Sequence, residues 1–167
     1  MKDVLIRTIE AGDDKDLATI VRSVLAEFGA NRPGTVYYDK TTDNLFELFQ
    51  QERAVYYVAF IANEMVGGAG IFPSAGLPEN TGELVKMYLK PHARGSGLGK
   101  LLIERCLSFA GSNGYRQVYI ETMPELKKAM SVYEKFGFRY LSGPMGNTGH
   151  FGCEIWMLKD LRQKETD

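Results

Sequence analysis

Apolar positions along this chain switch between two periods, and the switches mark its elements. Val4-Leu5-Ile6-Arg7-Thr8-Ile9 reads as an opening strand. Ala11-Gly12-Asp13-Asp14 breaks it, with Asp13 or Asp14 available to cap a helix. Leu17, Ile20, Val21, Val24, Leu25 and Phe28 then recur at the 3.6-residue period of an amphipathic helix. Asn31-Arg32-Pro33-Gly34 ends that helix, and Thr41 or Thr42 can cap a second one carrying Leu45, Leu48 and Phe49. Val55 to Ile61 predicts a strand, and Asn63-Glu64 turns it into Met65 to Phe72, an antiparallel hairpin thinned by Gly67, Gly68 and Gly70.

After a loop from Pro73 to Thr81, residues 83–89 (Glu-Leu-Val-Lys-Met-Tyr-Leu) form the next strand. A helix follows from about Gly97 to Ser112, with Leu98, Leu101, Leu102, Cys106, Phe109 and Ala110 on its buried face. Gln117 to Thr122 is a further strand. Pro124 suits the first turn of a helix that ends near Phe136, with Gly137 as its left-handed cap. Phe138–Leu141 and Phe151–Leu158 are expected to pair around a Gly-rich loop at 143–149. No repeat or linker interrupts residues 1–167, so one domain is expected over that span.

Composition narrows the class. A chain of 167 residues with 44% hydrophobic and 25% charged residues suits one soluble core. A net charge of −1 gives no sign of a nucleic-acid-binding surface and leaves only local basic patches open. No stretch approaches the ~20 apolar residues of a membrane span, and the N-terminus lacks the apolar core of a signal peptide. A cytoplasmic protein with no membrane partner is the expectation. Cys106 falls on an apolar helix stripe and Cys153 in a late strand; with no metal-ligand spacing around them, both read as buried reduced thiols.

The strongest chemical signal is Arg94-Gly95-Ser96-Gly97-Leu98-Gly99, between the 83–89 strand and the following helix. A glycine-rich turn that opens a helix presents free backbone N–H groups to an anion, and glycine lets backbone approach a phosphate closely. A P-loop fails at Arg94 and Leu101, where its first glycine and its Ser or Thr should stand. A dinucleotide fingerprint fails at Lys100, where its third glycine should stand.

The hexapeptide instead resembles the [QR]-x-x-G-x-[GA] signature of the GNAT superfamily of N-acetyltransferases. Two further anchors carry the resemblance: Glu83, eleven residues before Arg94, and Ala129-Met130-Ser131-Val132-Tyr133-Glu134-Lys135-Phe136-Gly137-Phe138, which is similar to the family's A-x-x-x-Y-E-K-x-G-F segment. The strong part covers residues 82–141. The resemblance implies an α/β (α+β) GNAT fold, a mixed, mostly antiparallel twisted sheet of about seven strands flanked by about four helices. It also implies acetyl-CoA as co-substrate, no metal, and direct attack by a primary amine in a ternary complex. The acceptor, a small molecule or a protein, is unspecified, and a homodimer is common among such proteins. A non-catalytic acyl-CoA-binding or sensing domain is the alternative reading, and an ATP or NAD binder a more distant one.

Residue by residue, the N–H groups from Gly95 to Lys100 and the charge of Arg94 are candidates to hold the pyrophosphate, with Ser96, Gly97, Leu98 and Gly99 in the loop between them. Arg94 has a surface salt bridge as its competing role. The resemblance implies that the pantetheine arm pairs with backbone at Met87 and Leu89, in room made by a bulge. Glu83 is the candidate base: alternation places it on one strand face with Val85, Met87 and Leu89, where desolvation would raise its pKa. Glu121 and His150 are its rivals, with His92 a weaker one. Tyr133 is the candidate acid. The family often carries an asparagine where this chain has Leu126, so one side-chain bond to the cofactor arm is missing. Phe28, Tyr37, Tyr38, Asp39, Asn147, Thr148, His150 and Phe151 fall in the segments that line the acceptor site in this fold. Aromatic rings with an acid suit a cationic amine.

Overall fold

Helices near residues 14–27 and 45–48 cover one face of a single twisted sheet, and helices near 98–112 and 127–135 cover the other. The computed structural model describes residues 3–162. The strands are β1 (Val4–Thr8), β2 (Val55–Ile61), β3 (Glu64–Phe72), β4 (Thr81–Leu89), β5 (Gln117–Thr122), β6 (Arg139–Tyr140) and β7 (Ile155–Asp160). The helices are α1 (Asp14–Glu27), α2 (Leu45–Leu48), α3 (Leu98–Ser112) and α4 (Lys127–Lys135). The sheet order is β1-β2-β3-β4-β5-β7-β6, antiparallel throughout except where β4 and β5 run parallel. Leu84, Leu102, Ile103, Cys106, Val118 and Phe136 pack together on the α3/α4 face, while Leu17, Leu45, Tyr56 and Val85 pack on the α1/α2 face.

Local chemistry explains most boundaries. Ala62 and Asn63, at φ 49° and 68°, make the tight turn between β2 and β3. Gly137, at φ 88°, stops α4. The expected caps of α1 act elsewhere: Asp13 turns back to accept from Arg7 and from the Glu10 N–H, and Asp14 accepts from Phe46 N at 2.8 Å. Asp14 thus ties the start of α1 to α2 instead of closing its own helix.

The second helix is shorter than expected. Asp39, rather than Thr41 or Thr42, accepts from the Thr41 N–H and hydroxyl, which winds Lys40–Asp43 into a 3-10 turn. Only Leu45–Leu48 is α-helical there. Pro124 lies in a turn closed by Leu126 N to Met123 O, so α4 begins at Lys127. The closing strands are also short, because residues 151–154 leave the sheet and bond to Gly34 through the Gly152 N–H.

A bulge in β4 shapes the sheet. Gly68 pairs with Tyr88 and Gly70 with Val85, so Lys86 and Met87 together face Ala69. Lys86 takes φ 49°, a conformation that costs a non-glycine residue about 1–3 kcal/mol. Tyr56 holds it there, donating its hydroxyl to the Lys86 carbonyl at 2.8 Å. The glycines of β3 make this possible: a Cβ at Gly68 or Gly70 would sit 2.6 or 2.7 Å from the Tyr56 ring, and one at Gly67 would press into the Tyr88 carbonyl.

The bulge corrects the simple alternation expected for this strand. Val85 packs on the α1/α2 face, but Met87 and Leu89 pack with Leu84 on the α3/α4 face. One extra residue has moved them to the opposite side from Glu83. β4 and β5 pair through Glu83↔Tyr119 and no further, which leaves the later part of β4 without a strand on that side.

Replacing Tyr56 by Phe should cost about 1–3 kcal/mol, because the Lys86 carbonyl is left buried without its donor. Denaturant unfolding of the two proteins measures this directly; an unchanged midpoint would mean the hydroxyl does not hold the bulge.

Candidate active site

Glu83 is the last residue of β4 to pair with β5, so its side chain stands where the two strands begin to part. It is only 2% exposed and accepts from Ser74 Oγ at 2.9 Å. Burial, with Glu121 close by, pushes its pKa up to about 7, against the pull of His150, Ser74 and Lys86.

Glu121, at the end of β5, is not solvated as a strand-end acid usually is. The loop at 143–152 folds over it. Thr148 Oγ1 donates to Glu121 at 2.5 Å and Tyr119 Oη at 2.8 Å, and His150 Nδ1 stands at 3.7 Å. Burial opposes ionisation, but the bonds from His150, Thr148 and Tyr119 outweigh it and bring the pKa below the ordinary carboxylate value.

His150 bridges two carboxylates. Its Nε2 lies 2.9 Å from Asp39 Oδ2, opposite the Glu121 contact. Burial disfavours its charge, yet Asp39 and Glu121 raise its pKa to about 9. At neutral pH both ring nitrogens therefore carry protons, and His150 is a poor base. Asp39 also faces Lys86 Nζ at 3.6 Å, and its pKa is driven far below the usual range even though burial acts against this. Lys86 itself is buried, and its pKa is lowered by that burial. Sequence reasoning missed Lys86 and Ser74. A lysine in the middle of an apolar strand was the available sign of the first.

The donor atoms of Glu83, Glu121 and His150 lie within 4.8 Å of one another, close enough to consider a metal. In this arrangement both imidazole nitrogens face carboxylates, and Glu121 accepts from two hydroxyls.

Tyr133 comes from α4 on the other face of the sheet. It is 6% exposed, and its hydroxyl reaches Met87 Sδ at 3.8 Å, beside the bulge. Burial pushes its phenol well above the ordinary value. Glu83 and Tyr133 thus flank the opening between β4 and β5 from opposite faces.

At the start of α3, Gly97 takes φ 84° and Gly95 φ 76°. The helix ladder begins with Leu101 N to Gly97 O, leaving the N–H groups of Leu98, Gly99 and Lys100 without intrahelical partners. A Cβ at Gly95 or Gly97 would meet nothing within 4 Å, so the turn is an open cradle of backbone donors. This fits the pyrophosphate of acetyl-CoA. Arg94 is engaged differently: it makes two 2.8 Å bonds to Glu27, donates to Leu89 O and lies 5.0 Å over Phe28. Lys100 is exposed beside Glu104. His92 pairs with Glu64 at the surface. Leu126, in the family's asparagine position, packs beside Met123 and Cys153. Both cysteines are buried and unpaired, and burial raises the Cys153 thiol to about 12.

Comparison with known proteins identifies the family. The family model described as "Acetyltransferase (GNAT) family" matches residues 20–138. The uncharacterized N-acetyltransferase YjgM of Escherichia coli is 35% identical over 158 residues, spanning 94% of this chain and 95% of that protein. A GNAT-family acetyltransferase from Staphylococcus aureus superposes with a TM-score of 0.81 at 17% identity, covering 96% of this chain and all of the other. The PaiA N-acetyltransferase of Thermoplasma acidophilum, solved with coenzyme A, has a TM-score of 0.74 at 18% identity, covering 95% and 99%. The chain belongs to the acetyltransferase (GNAT) family and is an acetyl-CoA-dependent N-acetyltransferase acting on an amine. Among the described residues, no helix is long and apolar enough to cross a membrane.

The His150–Asp39 pair makes one contribution to stability depend on pH. The His150 pKa is raised in the fold, so its contribution is complete below about 6.5 and is lost as pH rises through about 9. Asp39→Asn should therefore lower the melting temperature most near pH 6, with the gap to the parent narrowing by pH 10. A gap constant over that range would contradict the pairing.

Proposed function

We propose that Glu83 is the general base and Tyr133 the general acid of a direct transfer in a ternary complex, within one domain spanning residues 1–167. The observation that carries this reading is a carboxyl group, 2% exposed and with its pKa near 7, at the point where β4 leaves β5. An alkyl amine has a pKa of about 10.4 and arrives charged. A carboxylate poised near neutrality can take its proton without being permanently protonated or too weakly basic. When bound, acetyl-CoA supplies the acetyl group as an activated thioester. Tyr133, whose phenol stays protonated at neutral pH, is suited to give a proton to the departing sulfur.

The free N–H groups from Gly95 to Lys100, including those of Ser96, Gly97, Leu98 and Gly99, hold the pyrophosphate in this reading. Arg94 joins them by exchanging Glu27 for a phosphate. Backbone at Met87 and Leu89, on the unpaired side of β4, takes the pantetheine arm. The mixed charges around Glu83, with the exposed Tyr38 and Phe151 beside Asp39 and His150, favour a cationic primary amine as acceptor.

Glu83→Gln should lower kcat/KM by about 10²-fold or more and abolish the rise in rate through pH 7. The sign follows from the base: activity grows as Glu83 loses its proton. An unaltered pH profile in a steady-state assay would remove Glu83 from the chemistry. Tyr133→Phe should reduce kcat about 10²-fold while leaving the acetyl-CoA dissociation constant nearly unchanged; a normal kcat would exclude the phenol as acid.

A further inference from the structure

Three elements deliver charge to Glu83. Glu121 comes from the end of β5, His150 from the loop at 143–152, and Lys86 from the bulge of β4 itself. The carboxylate oxygens of Glu83 and Glu121 and the His150 ring nitrogens lie within 4.8 Å of one another, in a place where Glu83 is almost fully buried. At that separation, with little water between, each charge acts strongly on the next.

Neither neighbour is free to move away. Glu121 is held by Thr148 Oγ1 and by Tyr119 Oη, and the Tyr119 hydroxyl accepts in turn from Met145 N at 3.1 Å. His150 is held against Asp39. The loop carrying Met145, Thr148 and His150 is anchored at two points, by Asn147 N to Ala75 O in its middle and by Gly152 N to Gly34 O at its end. The remaining groups around Glu83 are the Ser74 hydroxyl and the neutral Tyr88, Tyr119 and Cys153. Asp39 acts through His150 and Lys86.

We propose that Glu121 and His150 are positioning residues with opposed effects on Glu83: the fixed anion holds the proton on the Glu83 carboxyl, and the fixed cation releases it. This rests on Glu83 being the base. In this role both act on the reaction through Glu83. Because Thr148 and His150 share one loop, the setting holds while that loop lies over β5. Asp39 and then Glu121 keep His150 charged at neutral pH, and His150, Thr148 and Tyr119 keep Glu121 ionised, so each is present as a full charge when the base has to work.

The test is the titration of the Glu83 carboxyl, followed by carbon NMR in the full chain, together with the pH dependence of kcat/KM. Glu121→Gln should move the Glu83 midpoint down by about one pH unit, and His150→Gln should move it up by a similar amount. Thr148→Val, which removes a hydrogen bond but no charge, should move it much less than either. Shifts of the same sign in the first two variants, or an unmoved midpoint in proteins with native circular dichroism, would overturn the proposal. If one variant does not fold, the sign of the other decides. The two ideas separate cleanly. Should Glu83→Gln abolish the acidic limb while the neighbouring variants leave the midpoint in place, Glu83 is the base and the tuning pair is wrong. Should Glu83→Gln keep that limb, the base assignment fails.

Discussion

At Lys86, β4 carries one residue more than the strand beside it, and the geometry of the site follows from how that residue is held. The Tyr56 hydroxyl takes the Lys86 carbonyl, Asp39 faces the Lys86 ammonium, and glycines at 68 and 70 leave room for the Tyr56 ring. A bulge bends its strand and breaks its alternation. Here it turns Met87 and Leu89 toward α3 and α4, while Glu83 stays on the α1 side. The separation of β4 from β5 begins directly after Glu83. That opening joins the two faces of the sheet, with Glu83 on one side and Tyr133 on the other.

The charges around this opening are consistent with a site rather than with stability alone. Burying Glu83 and Lys86, with Asp39, Glu121 and His150 half-buried beside them, has a desolvation cost that an apolar core would avoid. The cost is offset by alternation of sign: Lys86 faces Asp39, Asp39 faces His150, and His150 faces Glu121. Among the described residues no cation is paired with Glu83, which accepts from a hydroxyl instead. It is the member of the group left near its titration point, while Asp39 and Glu121 stay ionised.

Much of this was legible in the chain. β2 and β5 match their expected ranges because an apolar run between polar turns leaves little freedom in a buried strand. The start of α3 at a left-handed Gly97 follows from glycine chemistry alone. Glu83 stood out as an acid heading an apolar strand. The bulge did not, because a register slip depends on the partner strand; its traces were Lys86 amid apolar neighbours and three glycines across from it. The role of Asp39 in capping its own turn displaced the expected helix at 41–49, and its contact with His150 spans more than a hundred residues. Likewise, Arg94 read as a phosphate ligand or a surface ion pair from sequence, and only the packing of α1 brings Glu27 to it.

The central claim is that the unpaired edge of β4 and the turn before α3 together form the acetyl-CoA slot. Amide hydrogen exchange, resolved by residue with and without acetyl-CoA, tests it most directly. Slowed exchange at Met87, Leu89 and Gly95–Lys100 with acetyl-CoA, and none with NAD or ATP, is the result expected. Unchanged exchange at those amides under saturating acetyl-CoA, or protection confined to another part of the sheet, would contradict it.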